Sequence, residues 1–374
     1  SDWSSDVCSS DLMNSYSIQD VSTPAYALDL KVFTRNCKKM VDTAKRLGLG
    51  LRVHVKTHKT VEGARIQLEG LEKQAIIVST MAELKFFADN GFQDITLGIP
   101  FGTHQLKELE EYSHKLASLN VLVDMKEHID LLDTTSGHYN VFIKVDTGYH
   151  RAGIEAERLN TITELARYIQ KSSTCSFLGL YSHAGHSYDQ STKEDVRKVA
   201  CEERDAMVRV RRALEEAGIG VEVVSCGSTP ACSLNEDWEG ITEIHAGNYC
   251  CFDRTQVSIG SCGSVEDNAG RLLCRVLSHY PTRNTILTDG GGIPLSKDKS
   301  GLSNWGSVYK HPELYMLKIS QEHGILTSDT PIDYSKYPLG TVLMVYPNHS
   351  CMTAAQHPEY YILDDEKVID KWIP

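Results

Sequence analysis

Residues Leu51-Arg-Val-His-Val-Lys-Thr-His-Lys-Thr60 alternate basic and apolar side chains and then break into a hydroxyl-bearing turn. Side chains of a strand point alternately to its two faces, so Val53 and Val55 share one face and Arg52, His54 and Lys56 the other. A helix from about Val61 to Leu68 follows. A basic triplet along one face of a short apolar strand is out of place in a sandwich. It suits a parallel barrel, where inward side chains near the C-terminal ends of strands converge on a mouth. A lysine held there, partly desolvated among other cations, would have a lowered pKa and serve as an amine nucleophile. Taken alone, the segment reads equally well as a solvated basic turn.

The flanking sequence favours the barrel. From Ala25 to about Tyr249, short apolar runs alternate with amphipathic ones, the pattern of successive βα units. After the first strand, further candidates are Ala75–Ser79, Ile95–Pro100, Val121–Met125, Val141–Asp146, Phe177–His183, Val221–Gly227 and Glu243–Gly247. Helices are expected over Met81–Asn90, His104–Ala117, Leu159–Lys171 and Lys193–Glu216, with Asn90-Gly91 and Ala217-Gly218 as glycine-relieved ends. Eight repeats imply an α/β fold, a closed (β/α)8 TIM-type barrel. After Asp253 the texture changes to short strand-like runs between turns: Arg271–Leu277, Thr285–Leu287, Gly340–Tyr346 and Tyr360–Leu363. The expected organisation is a barrel over residues 29–253 and a C-terminal β domain over 254–374, with residues 13–28 as an N-terminal segment open to joining that domain.

Residues 1–12, SDWSSDVCSSDL, have no apolar period and no signal-peptide core, and resemble the translation of a sequencing adapter. With Met13 as the expected start, loss of three aspartates takes the formal charge from -12 to -9. The 41% hydrophobic content is enough for a sizeable core. No run reaches membrane-spanning length and no basic stripe suggests nucleic acid. Eleven irregularly spaced cysteines suit reduced thiols and a cytoplasmic location.

Further clues stand at the other strand ends. Lys144-Val-Asp-Thr-Gly-Tyr-His-Arg151-Ala-Gly153 turns abruptly from apolar to polar, as where a strand opens to a mouth, or as in a surface turn with a salt-bridged arginine. In Gly179-Leu-Tyr181-Ser-His183-Ala-Gly185, Tyr181 and His183 are two apart and share a face. Ser225-Cys-Gly227-Ser228-Thr229-Pro230 and Glu243-Ile-His-Ala-Gly247-Asn248-Tyr249 each follow one of the last two barrel strands. A phosphate site there is a recurrent barrel feature, since exposed amides and a helix N-terminus favour an anion. Val345-Tyr-Pro-Asn-His349-Ser-Cys351-Met-Thr places a histidine and a cysteine two apart, so an extended chain would aim both at one site. Imidazole and thiolate bind zinc, and two protein ligands leave positions for water and substrate. An H-x-C pair by itself is common by chance.

Taken together these segments resemble the pyridoxal-phosphate enzymes built like alanine racemase (fold type III), in the branch of eukaryotic-type D-serine dehydratases and D-threonine aldolases. Arg52-Val-His-Val-Lys56-Thr-His-Lys59 resembles that family's Schiff-base segment, with Val53 where proline is usual. Ser320-Gln-Glu322-His323-Gly324, Asp289-Gly-Gly-Gly-Ile-Pro-Leu-Ser-Lys-Asp298 and Pro347-Asn-His349-Ser-Cys351 resemble the branch's C-terminal segments, so the likeness runs from about Thr23 to the end. The resemblance implies that Lys56 forms the Schiff base and serves as the Cα base, and that Arg151 contacts the phenolic oxygen of the cofactor. It implies His183 stacked on the pyridine ring and Tyr181 near the ring nitrogen, with Gly227, Ser228, Thr229, Gly247, Asn248 and Tyr249 around the phosphate. His245 stands where the family usually has arginine. His349 and Cys351 would hold a catalytic Zn2+. The implied reaction is dehydration of D-serine to pyruvate and ammonia. D-threonine aldolase, D-3-hydroxyaspartate dehydratase and a non-enzymatic pyridoxal-phosphate protein are the alternatives, and no second base suited to racemisation stands out. The expected partners are a small D-β-hydroxy amino acid and a second copy in a homodimer, the β domain of one chain near the barrel mouth of the other.

Overall fold

A computed structural model of the protein describes residues 15–374; the adapter-like stretch 1–12 lies outside them. The chain divides into two compact units, residues 34–268 and residues up to 33 together with 269–374.

Among the described residues, besides a short strand Ile154–Glu155 that pairs with the fifth barrel strand, the barrel of the first unit has eight parallel strands: Gly50–His54, Ala75–Val78, Asp94–Pro100, Ser118–Val123, Tyr139–Asp146, Cys175–Tyr181, Val223–Cys226 and Glu243–Ala246. Each pairs with the next, and the eighth pairs back onto the first with His245 opposite Arg52. The sheet is therefore closed, as the eight-repeat reading requires. Ile76, Ile95, Val121 and Val141 on one face and Ile77, Leu122 and Phe142 on the other are fully buried, so the strands are packed on both faces. Among the helices, Lys193–Glu216 has the expected bounds for visible reasons. Thr192 caps it by accepting from the Asp195 amide at 3.1 Å, and Glu194 and Asp195 sit in the first turn, where acids are favoured. At its far end Gly218 takes φ +77°, a left-handed turn that a side chain would resist.

The alternation of the first strand stops at His54, because Val55–Thr57 is a 3-10 turn. Arg52 does not reach the mouth. It is fully buried; its Nε donates to Glu243 at 3.0 Å and its Nη1 to Asp94 at 2.6 Å and Thr96 at 3.1 Å. Asn120 joins by donating to Asp94 at 2.8 Å. A guanidinium inside a barrel must be paired, and here two carboxylates and two polar side chains form an ionic layer within it. Residues 254–268 group with the barrel unit. Asp253 caps the helix Arg254–Ser258, Asn36 donates to the Asp267 carbonyl at 2.8 Å, and Arg35 pairs with Asp267 at 2.7 Å.

Among the described residues, the second unit is built on a ten-stranded, mainly antiparallel sheet. Its longest strand, Gly270–Tyr280, pairs with Ala25–Asp29, Thr285–Thr288 and Val342–Pro347. Ala25–Asp29 also pairs in parallel with Tyr360–Asp364. Two apolar clusters hold it, one around Leu272, Leu314 and Val345 and the other around Ala27, Leu273 and Leu363. No helix of the described residues is long and apolar enough to cross a membrane.

Candidate active site

At the C-terminal ends of the barrel strands lies a cavity of about 260 Å³. Its wall is supplied strand by strand: His54 and Lys56 from the first, Ser79 from the second, Gly98 to Pro100 from the third, Lys144 with Arg151 and Ala152 from the fifth, Tyr181, His183 and Tyr188 from the sixth, Ser228 and Thr229 from the seventh, and His245 to Asn248 from the eighth. Lys56 stands on the 3-10 turn, its amide donating to His54 Nδ1 at 3.4 Å. Thr60 then caps the helix Val61–Leu68, and His58 bonds Gln67 at 2.9 Å, so the turn is tied down just beyond the lysine. Lys59 pairs with Glu83 at 3.4 Å and does not line the cavity. The eighth-strand loop presses on the same turn: a Cβ at Gly247 would meet the His54 carbonyl oxygen at 2.7 Å.

Protonation states at the inner wall follow from the bonds. His183 Nδ1 lies 2.8 Å from the Gly227 carbonyl, which can only accept, so the proton is on Nδ1. Ser225 donates to Glu243 at 2.8 Å, and Glu243 also accepts from Arg52; Ser225 must therefore accept from His245 Nδ1, 3.0 Å away. Both imidazoles are neutral, burial and the neighbouring cations holding their pKa far below the ordinary value. Lys144 is buried, and desolvation lowers its pKa to about 8; its Nζ lies 4.7 Å from the centroid of the Tyr181 ring. Tyr181 in turn stacks on His245. Arg151 sits on a turn shaped by Asp146, whose Oδ1 accepts from the Gly148 and His150 amides at 2.9 and 3.0 Å.

Of the ten barrel positions singled out from sequence, Lys56, Arg151, Tyr181, His183, Ser228, Thr229, Gly247 and Asn248 line this one cavity. Gly227 and Tyr249 stand behind it. Gly227 adopts φ +135°, where a Cβ would meet Cys232 Sγ at 2.6 Å, and the Tyr249 amide donates to Thr229 Oγ1 at 3.2 Å. His54, Ser79, Lys144 and Tyr188 carry no assigned role in the sequence reading, although Ser79 and Lys144 fall within segments already marked as strand ends.

The remaining two positions lie in the second unit. The strand Val342–Pro347 ends at Pro347; His349 is extended with φ -137°, and the chain is helical from Ser350 to Ala354. Cys351 therefore lies in the first turn of a helix, and the strand alternation expected to aim both residues at one site does not apply. His349 takes the helix N-cap position, without a side-chain bond to the helix amides. Its Nδ1 lies 2.5 Å from Asp298, whose carboxyl is lowered to about 2 by this bond. Nδ1 thus carries a proton. Among the described residues, no group of three or more His, Cys, Asp or Glu side chains gathers as a metal site.

Residues 28–254 match the family model "Alanine racemase, N-terminal domain", and residues 269–363 match "Putative serine dehydratase domain". The chain is 35% identical to the D-serine dehydratase of Dictyostelium discoideum, covering 96% of this chain and 98% of that one. It is 32% identical to the D-serine dehydratase of Schizosaccharomyces pombe, covering 96% and 92%. The solved structure of D-threo-3-hydroxyaspartate dehydratase from Delftia sp. HT23 superposes with a TM-score of 0.90 at 30% identity, over 96% of this chain and 98% of that one.

Proposed function

The chain belongs to the D-serine dehydratase branch of the alanine racemase-like family, and from that membership we propose that it dehydrates D-serine to pyruvate and ammonia with pyridoxal phosphate and zinc. The observation that carries this reading is the convergence of Lys56, Arg151, Tyr181, His183 and the two glycine loops on one cavity. The residues fit the cofactor. Lys56 offers an amine to its aldehyde, Arg151 a cation to its phenolic oxygen and His183 a flat neutral ring to its face. The Gly227 and Gly247 loops leave no room for a Cβ, as a backbone cradle for phosphate requires.

When bound, pyridoxal phosphate supplies an aldehyde that captures the substrate amine and a ring that accepts the electrons of the broken Cα–H bond. Lys56 would hold the cofactor and, with its amine free, would take the Cα proton. Tyr181 is the group assigned to the ring nitrogen. A phenol there, with no carboxylate, leaves the ring a weaker electron sink, which disfavours racemisation. His349 and Cys351 fit zinc by donor chemistry, with Asp298 orienting the imidazole from behind. A zinc there supplies a Lewis acid for the departing β-hydroxyl. Loss of water leaves an enamine that hydrolyses to pyruvate and ammonia. The protein works as a cytoplasmic homodimer in this reading.

The test is a product assay on D-serine, L-serine, D-threonine and D-threo-3-hydroxyaspartate with metal-replete protein. Pyruvate from D-serine at the highest kcat/KM is expected. Glycine and acetaldehyde from D-threonine would move the assignment to an aldolase. Preference for 3-hydroxyaspartate is the second reading, favoured by the likeness to the Delftia enzyme.

A further inference from the structure

The helix Lys193–Glu216 turns an apolar stripe inward, including Val199, Ala200, Ala206 and Met207, and one residue breaks it: Glu203, fully buried. A leucine or methionine would satisfy packing at that position. A buried carboxyl is costly there, and its Oε2 has no hydrogen-bond partner among the described residues. Its Oε1 accepts from the Ser182 hydroxyl at 2.5 Å and from the Gly227 amide at 3.4 Å. These two donors belong to different strand ends. Ser182 adjoins His183, and Gly227 opens the Ser228–Thr229 loop of the cavity. The same two segments are joined a second time, by His183 Nδ1 donating to the Gly227 carbonyl, and a third time by the Ser182 amide donating to Ser225.

Resting on the cofactor reading above, we infer that Glu203 is a positioning residue that locks the Gly227–Thr229 loop in register with His183, so that the phosphate of the cofactor is gripped while its ring is faced. Glu203 lies outside the cavity and bonds Ser182 and Gly227, which adjoin it. Releasing the Gly227 amide lets the loop adopt other conformations, and the loss falls on the phosphate rather than on the pyridine ring. Burial pushes the Glu203 carboxyl above its ordinary range, and the charge of Lys144 opposes that rise. A neutral Gln, whose carbonyl oxygen accepts the same two bonds, is therefore a conservative replacement.

The test compares affinities for pyridoxal 5'-phosphate and for pyridoxal, which lacks the phosphate, by absorbance titration of wild type, Glu203→Ala, Glu203→Gln and Ser182→Ala full-length protein. Glu203→Ala should weaken pyridoxal phosphate binding at least about tenfold, about 1.4 kcal/mol, with pyridoxal binding changed less than about threefold. Glu203→Gln should stay within about threefold of wild type for both, and Ser182→Ala should fall between the two. The 31P resonance of bound cofactor should broaden or shift in Glu203→Ala alone among the Glu203 variants. Equal losses for both aldehydes, or none for either, would overturn the positioning role. If Glu203→Ala does not fold, Glu203→Gln and Ser182→Ala decide: a Gln variant that loses phosphate affinity together with a Ser182→Ala variant that keeps it would also overturn the role. Wild-type protein that takes up neither aldehyde would remove the cofactor reading itself, and this role with it.

Discussion

Tyr181 and His245 lie face to face, their ring centroids 4.2 Å apart and their planes inclined by 9°. The histidine is anchored through Ser225 to Glu243, so the tyrosine ring rests on a fixed platform. Its hydroxyl can then be aimed without rotamer freedom.

Tyr181→Phe keeps the platform and removes only the hydroxyl. It should leave the urea midpoint nearly unchanged while shifting the absorbance of the bound cofactor. Tyr181→Leu removes the stack as well and should cost about 1–3 kcal/mol of stability. Equal destabilisation by both variants would show that the hydroxyl, not the ring, bears on the fold.

Two amines line the cavity, and they separate position from basicity. Lys144 has its pKa pushed down to about 8 by burial, yet it is 6% exposed. Borohydride reduction of the protein loaded with pyridoxal phosphate, followed by peptide mapping, should place the label on Lys56. Label on Lys144 would reassign the nucleophile.

For the zinc proposed in the second unit, chelation separates a role in the fold from a role on the substrate. Chelation should abolish pyruvate formation yet leave the cofactor absorbance and thermal transition close to those of untreated protein, with zinc restoring activity. His349→Ala and Cys351→Ala should keep cofactor and lose at least about 100-fold in turnover, an effect of about 2.7 kcal/mol. A structural zinc would instead take the thermal transition with it, since its binding energy is folding energy. Full activity in metal-free protein would exclude a catalytic zinc.

His58 gives the acid limb of stability. Burial lowers its pKa from 6.5 to about 4, opposed by the bonds from Gln67 and Thr60. The unfolded chain therefore binds the proton first. Stability is intact above pH 6.5 and falls as pH drops from 6.5 toward 4, by up to about 3 kcal/mol from this residue. His54, His183 and His245 are also held neutral by burial and act in the same direction. In urea melts at pH 7 and pH 4.5, the wild type should lose more stability than His58→Asn. The reverse order would contradict a neutral, buried His58.

The barrel was legible because its signal is local. Each strand is a short apolar run, and the helix Lys193–Glu216 is bracketed by a capping threonine and a glycine that are visible in the sequence. The cavity residues were legible where they ended such a run, as Ser228 and Gly247 do. What could not be read depends on a partner far along the chain. Arg52 looked like a member of a basic triplet at the mouth, and only Glu243 and Asp94 reveal it as an internal ion pair. Glu203 has no place in the sequence reading, because its bonds to Ser182 and Gly227 join segments 21 and 24 residues away. In the second unit, pairing Ala25–Asp29 with Tyr360–Asp364 joins the two ends of the described chain, which no window of sequence contains. The turn from strand to helix at His349 was missed because an H-x-C pair carries no conformational signal of its own.

The seam between the first and eighth strands also sets a timetable. Arg52 meets Glu243 only across a sequence separation of 191 residues. On a ribosome making about 5–20 residues per second, the first strand waits on the order of ten seconds with one backbone edge open and the second carboxylate partner of its guanidinium not yet made. Through that interval the nascent chain is an unfinished cylinder, exposed to edge-to-edge association. The pairing that closes the cylinder is among the last its unit can make, so premature termination before Glu243 leaves the first strand without its eighth-strand neighbour.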